Sequence, residues 1–319
     1  MPASLAFNFE TYHKERRDLI EERLSQYLSD TEPAELWDSM RYSVLSGGKR
    51  IRAVLCLASA EASSHFLRDA SSESAAELAL PCACAIEMIH AMSLIHDDLP
   101  CMDDDDFRRG RPSNHKVYGE AMALLAGDAL LVYASEILLQ KSSDSIDKKR
   151  LIDVSSQLLI ATGAKGMVGG QVCDMAVTGL GKIDAAKPEE LESLLSNIHR
   201  KKTGALIRFS IYAGAALMNA PEAVLNKLTE FGELLGFSFQ IADDLLDVTG
   251  DIKTLGKTPG KDEKAGKLTW VTVYGLEKAQ KKLSELEERG KSILAELEIP
   301  AEKLQALAAL LEYAIHRSN

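Results

Sequence analysis

Apolar residues recur at helical spacing along most of the chain, and this pattern predicts an all-α protein. Near the start, one apolar face is followed by the glycine pair Gly47-Gly48, a common stop signal for helices. The members of that face are Leu36, Met40, Val44 and Leu45. Near the end, a longer stripe precedes Pro300, whose ring breaks helices. Its members are Leu276, Ala279, Leu283, Leu286, Ile293, Leu294 and Leu297.

Polar and glycine-rich stretches separate the predicted helices, and none of them has the composition of a domain linker. We therefore expect a single all-helical domain over residues 1–319. One segment is ambiguous on pattern alone, because Leu268–Tyr274 is rich in β-branched and aromatic residues, which favour strands. The predicted loops are Ala62–Ser74, Lys141–Lys149, Gly179–Pro188 and Thr249–Lys267.

Two clusters of aspartates each follow an apolar helical stretch. Carboxylates are rarely buried without a partner, so two such clusters require something strongly positive. A divalent metal that carries a diphosphate fits this need, because Mg²⁺ prefers a few carboxylates, retained waters and phosphate oxygens. The alternative is that both clusters are solvated acidic helix ends. The first cluster is Asp97, Asp98 and Asp103, and the second is Asp243, Asp244 and Asp247.

The two clusters differ in their spacing. Asp243 and Asp244 are four and three residues before Asp247, so the three carboxylates lie close together on one helical face. Like charges at this spacing destabilise a helix unless a cation joins them. Pro100 interrupts the first cluster, so we expect the helix to bulge or end there and to present the third aspartate beside the first two.

Charge and composition narrow the function classes. The net charge is −11, which argues against a nucleic-acid-binding surface. Apolar content of 46% with only 6% aromatic residues is typical of a helical globular protein. Five cysteines without a Cys-x-x-Cys pair favour buried thiols in a reducing compartment. We find no signal peptide and no apolar run of the roughly 20 residues that cross a bilayer, so we expect a cytoplasmic protein without a membrane span.

Basic residues are concentrated in a few places despite the acidic net charge. A glycine turn precedes Lys49, Arg50 and Arg52, and Arg108 and Arg109 follow directly after the first aspartate cluster. Arginine forks bind phosphate oxygens in pairs, and lysine supplies a mobile point charge. Singly, each cation is typical of a solvated surface. Together with the aspartates they indicate two anionic sites, one bridged by metal and one held by cations alone. Further cations are Lys201, Lys202, Lys257 and Lys267.

Two polar residues lie within apolar helical stretches. His90 precedes Asp97 by seven residues and shares its face, about 10 Å away along the helix axis. A hydrogen-bonded core histidine is the simpler interpretation. Gln240 precedes Asp243 by three residues on the same face, where its amide could bind a backbone group or point into a cavity.

Taken together, these residues resemble the trans-prenyl diphosphate synthase family of isoprenoid chain-elongating enzymes. The resemblance runs from Arg41–Arg52 through both aspartate clusters to Leu255–Asp262 and Lys267. It implies an all-α bundle around a deep central cavity, a homodimer, and Mg²⁺ as cofactor, with three ions when substrate is bound and Mn²⁺ able to substitute. It also implies that Leu268–Tyr274 is helical.

The same resemblance implies a role for each candidate residue. The two aspartate clusters correspond to the metal sites: Asp97, Asp98 and Asp103, and Asp243, Asp244 and Asp247. Arg108 corresponds to a contact of the allylic diphosphate. The isopentenyl diphosphate site corresponds to Lys49, Arg52, His90 and Arg109. The residues that line the allylic substrate correspond to Lys202, Thr203, Gln240, Lys257 and Lys267, the first four of them in catalytic roles.

The implied reaction condenses isopentenyl diphosphate with an allylic diphosphate and releases diphosphate. Met92 and Ser93 lie about one turn before the first cluster, where we expect the floor of the cavity. Farnesyl-forming bacterial relatives tend to have a bulky aromatic residue at the position of Met92. The smaller pair here favours the C20 product, geranylgeranyl diphosphate. The alternatives are a C15-forming farnesyl diphosphate synthase and a class I terpene cyclase, which would need no second diphosphate site.

Overall fold

Helices form most of the described chain, which confirms the predicted all-α class. The computed structural model describes residues 7–67, 73–177, 188–249 and 269–316. Within these ranges the only strands are β1 (Phe107–Arg108) and β2 (Arg111–Pro112), which pair antiparallel. The chain divides into two compact units, one of residues 1–155 and 213–219, the other of residues 156–212 and 220–319. The single domain and the central cavity stay predictions.

The first unit carries the first aspartate cluster at the end of its longest helix. Its helices are α1 (Phe9–Tyr27), α2 (Ala34–Val44), α3 (Ile51–Ser63), a 3₁₀ turn (Ser64–Phe66), α4 (Ala75–Asp97), α5 (Asn114–Tyr118), α6 (Glu120–Lys141) and the start of α7 (Lys148–Thr162). Most side chains of α4 are buried, and α3 and α6 both pack against it. Its many alanines allow this close packing, because they keep the neighbouring helices at short distances.

Two helices are longer and more apolar than the sequence prediction allowed. Within the described residues, α4 and α6 each have the length and composition of a bilayer span, so the expectation that no run reaches this length is wrong. Alanine and leucine dominate both helices, and a core helix has the same composition. In α4, 83% of the most apolar window is buried, as in a core helix, compared with 39% in α6.

The second unit carries the second aspartate cluster near the end of its own longest helix. Its helices are the rest of α7, α8 (Met167–Val177), α9 (Pro188–Lys202), most of α10 (Gly204–Leu217), α11 (Glu222–Thr249), α12 (Trp270–Tyr274), α13 (Leu276–Ala295) and α14 (Ala301–His316). The central helix is α11, which packs against α9, α12, α13 and α14. Its buried face includes Leu228, Phe231 and Leu235.

Helix ends follow the signals in the sequence. The helix α2 ends at Val44, shortly before Gly47-Gly48, and α13 and α14 lie on either side of Pro300. The ambiguous segment is helical over residues 270–274, because Thr269 and Thr272 form a capping box that begins this turn. The predicted loops at residues 179–188 and 249–267 lie almost entirely outside the described residues.

Candidate active site

The first aspartate cluster lies at the C-terminal end of α4. This helix ends at Asp97, and the backbone N–H of Asp103 donates to the carbonyl of Asp97 at 2.9 Å. A second hydrogen bond closes the intervening turn, from the N–H of Met102 to the carbonyl of Leu99 at 2.8 Å. The structure therefore confirms that the helix ends here and that the chain returns to place the third aspartate beside the first.

Asp98 is the buried member of this cluster, with 2% of its surface exposed. Arg108 in β1 donates from Nε to its two carboxylate oxygens at 3.0 and 3.2 Å, and its Nη2 makes a further contact. Burial raises the pKa of Asp98, and the guanidinium of Arg108 opposes this rise. Asp97 is half-buried and Asp103 is exposed, so solvent reaches two of the three carboxylates.

A cavity beside this cluster is rich in arginine and includes His90 in its lining. Burial lowers the pKa of His90 well below its ordinary value, and nearby arginines lower this pKa further. The imidazole is therefore neutral at physiological pH and can donate one N–H without adding charge. Four arginines act on His90: Arg52, Arg109, Arg50 and Arg108. The cavity lining thus includes His90 and Arg109, two of the four residues predicted to bind isopentenyl diphosphate, and Arg52 is near enough to act on the His90 imidazole.

The glycine turn before Lys49 is shaped around Arg109. Gly47 and Gly48 have φ angles of 78° and 135°, which residues with side chains rarely adopt. The Arg109 guanidinium donates to Ser46 Oγ at 3.1 Å and to the carbonyl of Gly47. A Cβ atom on Gly48 would lie 3.0 Å from this guanidinium, so glycine permits the close approach. The turn and Arg109 therefore form one local structure.

The second aspartate cluster occupies the last turns of α11. Asp243 is exposed and Asp247 is half-buried, whereas Asp244 is buried with 3% of its surface exposed. One oxygen of Asp244 accepts the backbone N–H of Trp270 at 2.8 Å, and the other accepts the side-chain amide of Gln240 at 3.1 Å. Asp244 thereby links α11 to the first residue of α12.

Gln240 extends this network to Thr203, whose hydroxyl donates to Gln240 Oε1 at 3.0 Å. Because the amide NH₂ faces Asp244, the amide oxygen faces Thr203, and the lone pairs of the hydroxyl remain available as acceptors. One turn before Gln240, α11 is very close to the start of α10, because a Cβ atom on Gly236 would lie 2.8 Å from Cα of Gly204. This approach places Thr203 within reach of Gln240.

Asp174 contacts the predicted site residue Lys202, and the sequence interpretation did not include it. Its carboxylate accepts from Lys202 Nζ at 2.6 Å, and the two side chains are 23% and 25% exposed. The helices α8 and α9 are close here, because a Cβ atom on Gly170 would lie 2.2 Å from the backbone nitrogen of Lys202. Asp174 is one turn after Gly170 and shares its face. The spacing Gly170-Gln-x-x-Asp174 is the signal that could have identified it.

Four predicted residues remain: two lysines of the allylic site and the two residues that are expected to set the product length. Lys257 and Lys267 lie outside the described residues. Met92 is buried in α4 with 4% of its surface exposed. Ser93 is half-buried, and its hydroxyl donates to the carbonyl of His90 at 2.9 Å. The hydroxyl of Ser93 therefore bonds to its own helix, and the side chain occupies little space beside α4, as the product-length prediction assumes.

Neither aspartate cluster forms a closed cage for a metal ion. Within the described ranges, no three His, Cys, Asp or Glu side chains converge closely enough to enclose one. Each cluster instead offers solvent-accessible carboxylates beside one that is held by protein groups. This donor set suits Mg²⁺, which combines one or two carboxylates with waters and the phosphate oxygens of a substrate.

Fold and site together define a class of protein, an all-α protein with two aspartate clusters and with cationic groups beside the first of them. The model of the polyprenyl synthetase family matches residues 33–303. The chain therefore belongs to the polyprenyl synthetase family.

Curated relatives agree with this assignment. The chain is 44% identical to the dimethylallyltranstransferase of Fischerella ambigua, over 98% of this chain and 85% of that protein. It is 38% identical to the geranylgeranyl diphosphate synthase of Cyanophora paradoxa, over 100% and 99% of the two chains. The prediction of a prenyltransferase is confirmed.

Solved structures share the fold. The apo crystal structure of an FPP/GFPP synthase from Zymomonas mobilis has a TM-score of 0.80 and 32% identity, and the match covers 98% of this chain and 100% of that one. The geranylgeranyl pyrophosphate synthetase of the archaeon Geoglobus acetivorans has a TM-score of 0.79 and 29% identity, with 97% and 99% of the chains covered. The isoprenoid synthase fold predicted from the sequence is confirmed.

Proposed function

We propose that the protein is a Mg²⁺-dependent geranylgeranyl diphosphate synthase. It condenses isopentenyl diphosphate with dimethylallyl, geranyl and farnesyl diphosphates and releases diphosphate. The observation that carries this proposal is the group of His90, Arg108 and Arg109 around one cavity beside the first aspartate cluster. The geranylgeranyl diphosphate synthases among its relatives support the product.

Isopentenyl diphosphate binds, in this proposal, in the arginine-rich cavity around His90. Lys49, Arg52 and Arg109 neutralise its diphosphate, and arginine forks also fix the orientation of the oxygens. The neutral imidazole of His90 donates a hydrogen bond to the same group. Held in this way, the diphosphate end fixes the position from which the double bond of the substrate reacts.

The allylic substrate loses its diphosphate when its C–O bond breaks. The aspartates would hold Mg²⁺, which would supply positive charge to the leaving oxygens. Arg108 and Lys202 neutralise the rest of the developing charge. Thr203 and Gln240 turn oxygen lone pairs towards the allylic cation, because Asp244 fixes the amide and the amide fixes the hydroxyl.

The new bond forms when the double bond of isopentenyl diphosphate donates its electron pair to the allylic carbon. The resulting cation loses a proton, and the released diphosphate is the acceptor in our proposal. Apolar side chains of α4, such as Met92, keep water from the cation, which would otherwise be quenched as an alcohol.

Diphosphate release by the purified protein tests this function. Release should require isopentenyl diphosphate, an allylic diphosphate and Mg²⁺ together, and chelation of the metal should stop it. Release from the allylic substrate alone would favour a terpene cyclase. With farnesyl diphosphate as the allylic substrate, the C20 product should form. Failure to elongate farnesyl diphosphate would favour a farnesyl diphosphate synthase instead.

Met92 provides a direct test of product length. The change Met92→Tyr adds a rigid ring in the apolar body of α4, so the chain that grows past it should stop earlier and the product should shorten from C20 to C15. Chromatography of the dephosphorylated products measures this shift. Met92→Leu, which conserves volume, is the matched control and should keep the C20 product. An unchanged product from Met92→Tyr would show that another wall sets the length.

We also propose that the protein is a homodimer, through an exposed apolar stripe on α6. Leu125, Val132 and Leu139 follow one another at seven-residue spacing and are 54%, 68% and 51% exposed. Exposed apolar patches of this kind commonly mark interaction sites. Light scattering should give a dimer for the native protein and a monomer for Val132→Glu. The exposed residue Leu276 supplies the control, since Leu276→Glu should leave the dimer intact.

The compartment proposed for this enzyme is the cytoplasm. All five cysteines lie in the described residues, and none forms a disulfide. Cys56, Cys82 and Cys84 are buried, which suits thiols in a reducing compartment. Fractionation of the source cells, followed by an activity assay, tests this location.

A further inference from the structure

Arg50 has an unexpected position for an arginine in a segment of diphosphate-binding residues. It stands between Lys49 and Arg52, yet its side chain is only 2% exposed, so it is not placed to receive a substrate from solvent. Its backbone has φ 50° and ψ 31°, in the left-handed region that residues other than glycine rarely adopt. Such a conformation persists only where surrounding contacts hold it.

Three contacts from the ends and faces of other helices hold Arg50. Its Nε donates to Glu21 of α1 at 2.8 Å, and its Nη1 donates to Glu87 of α4 at 3.3 Å. Its Nη2 donates to the carbonyl of Val44, the last residue of α2. One guanidinium therefore ties three helices to the residue that immediately precedes α3.

Glu87 serves two partners at once and is itself only 2% exposed. While Oε2 accepts from Arg50, Oε1 accepts the backbone N–H of Ala53 at 3.2 Å. Ala53 is the third residue of α3, and the side chain of Arg50 does not cap this helix. Glu87 thus supplies the acceptor and the negative charge that the first turn of α3 requires. Arg52 lies in that same turn, and His90 follows Glu87 by one turn of α4.

Stability alone is a poor explanation for this pair. Removing two charges from water costs about as much as their attraction returns, and buried ion pairs are better known for fixing one conformation. The conformation fixed here is that of the loop with Lys49 and the start of the helix with Arg52. A further contact from α1 acts on the same loop, because His13 Nε2 lies 2.8 Å from the carbonyl of Lys49.

We propose that Arg50 and Glu87 are positioning residues for isopentenyl diphosphate, whose buried pair directs Lys49, Arg52 and His90 towards one diphosphate group. This inference rests on the proposed function and deepens it. Both residues line the arginine-rich cavity, but each side chain is only 2% exposed and its polar groups bond to protein partners, so in this proposal neither binds the substrate directly. Because both act through their neighbours in the first unit, changes to the pair should weaken isopentenyl diphosphate binding and leave the allylic substrate and the chemical step unaffected.

Steady-state kinetics with each substrate varied in turn test the proposal. Arg50→Lys keeps the charge but loses the fork, and Glu87→Gln keeps the shape but loses the charge. Each should raise KM for isopentenyl diphosphate by about tenfold, the effect of one lost charged hydrogen bond, with kcat and the allylic KM unchanged. Glu77→Gln is the matched control, because Glu77 also lies on α4 and pairs with Arg23 of α1 at 3.0 Å, in a more exposed position. It should leave both KM values unchanged.

The outcomes separate this proposal from the function on which it rests. An inactive native protein would contradict the proposed function. An active native protein whose two variants keep the native KM for isopentenyl diphosphate, or raise both KM values equally, would overturn the positioning role. Arg50→Lys keeps this test available if Glu87→Gln fails to fold.

A double variant distinguishes positioning from the cost of an unpaired buried charge. Arg50→Gly with Glu87→Gln removes both charges, and glycine accepts the positive φ angle. Positioning predicts that KM for isopentenyl diphosphate stays raised in this variant, because the loop and the start of α3 lose their common anchor. A native KM for isopentenyl diphosphate in the double variant would overturn the proposal.

Discussion

The two aspartate clusters each contain one buried carboxylate, and the protein satisfies these two groups in different ways. Asp98 is 2% exposed and receives the charged fork of Arg108. Asp244 is 3% exposed and receives two neutral N–H groups, from Gln240 and Trp270. The first arrangement continues into a cavity lined with arginine, and the second continues into a chain of oriented dipoles. We infer that the first region mainly binds diphosphate and that the second mainly assists ionisation.

The largest effect should come from a feature that both regions share, the first aspartate of each cluster. Asp97→Ala and Asp243→Ala should each lower kcat by about 1,000-fold, which corresponds to about 4 kcal/mol of lost transition-state stabilisation. Both residues are reached by solvent, so the fold should survive. Turnover at saturating Mg²⁺ and a circular dichroism spectrum measure the two quantities.

An exposed aspartate of the same acidic stretch supplies the control for this experiment. Asp106 pairs with Lys116 at 2.7 Å on the surface, so Asp106→Ala should keep native turnover. If Asp97→Ala loses activity and Asp243→Ala does not, the first aspartates of the two clusters do not share one role, and the prediction of equal effects is wrong.

A smaller effect, confined to the chemical step, should follow from the dipole chain of the second region. Thr203→Val keeps the shape of the side chain and removes the hydroxyl that bonds Gln240. It should lower kcat by about 100-fold, a typical result of losing one preorganised dipole, with KM for isopentenyl diphosphate unchanged. Thr229→Val is the control, because that hydroxyl bonds only to Leu225 of its own helix at 2.7 Å among the contacts described. A Thr203→Val enzyme with native kcat and a raised KM would reverse the roles that we assign to the regions.

The opposite kinetic pattern should follow in the first region. Arg52→Ala removes one cation from the group around His90 and should raise KM for isopentenyl diphosphate by about 20-fold, or about 2 kcal/mol, with little change in kcat. Initial rates at varied isopentenyl diphosphate measure this shift. Arg208→Ala removes an arginine that pairs with Glu233 on the surface and should change neither constant. A fall in kcat alone for Arg52→Ala would remove the distinction between binding and ionisation.

The parts of the fold that could be predicted from the sequence are those set by residues close together in the chain. The helical period predicts α2 and α13, and Pro100 predicts that α4 ends within the first cluster. The resemblance predicts the helical turn at residues 270–274, which local composition does not. These features depend on neighbours in the sequence, or on a family pattern that covers the whole chain.

Contacts between distant residues could not be predicted in this way. Nothing in the acidic sequences distinguishes Asp98 and Asp244 as the buried members, because burial depends on packing against Arg108 and Trp270. The sequence around Glu87 does not distinguish it from other glutamates in helices, although its carboxylate accepts a hydrogen bond from the first turn of α3. The search for apolar runs did not detect that α4 and α6 have the length and composition of bilayer spans. Composition alone does not separate such a span from a core helix rich in alanine.

An effect on stability, with no effect on binding or turnover required, is expected from a buried histidine of the second region, the counterpart of His90 in the first. The pKa of His199 is lowered from 6.5 to about 4, mainly by burial and in smaller part by Lys202, while Asp174 opposes the shift. Between these values the unfolded chain binds a proton that the folded chain does not, so the free energy of unfolding falls as the pH falls. His199 should account for about 2 kcal/mol of the loss between pH 7 and pH 5. Urea unfolding of His199→Gln should show a loss smaller by that amount. An identical loss in both proteins would mean that the histidine is protonated in the folded state, and its neighbours would then differ from the neutral setting found around His90.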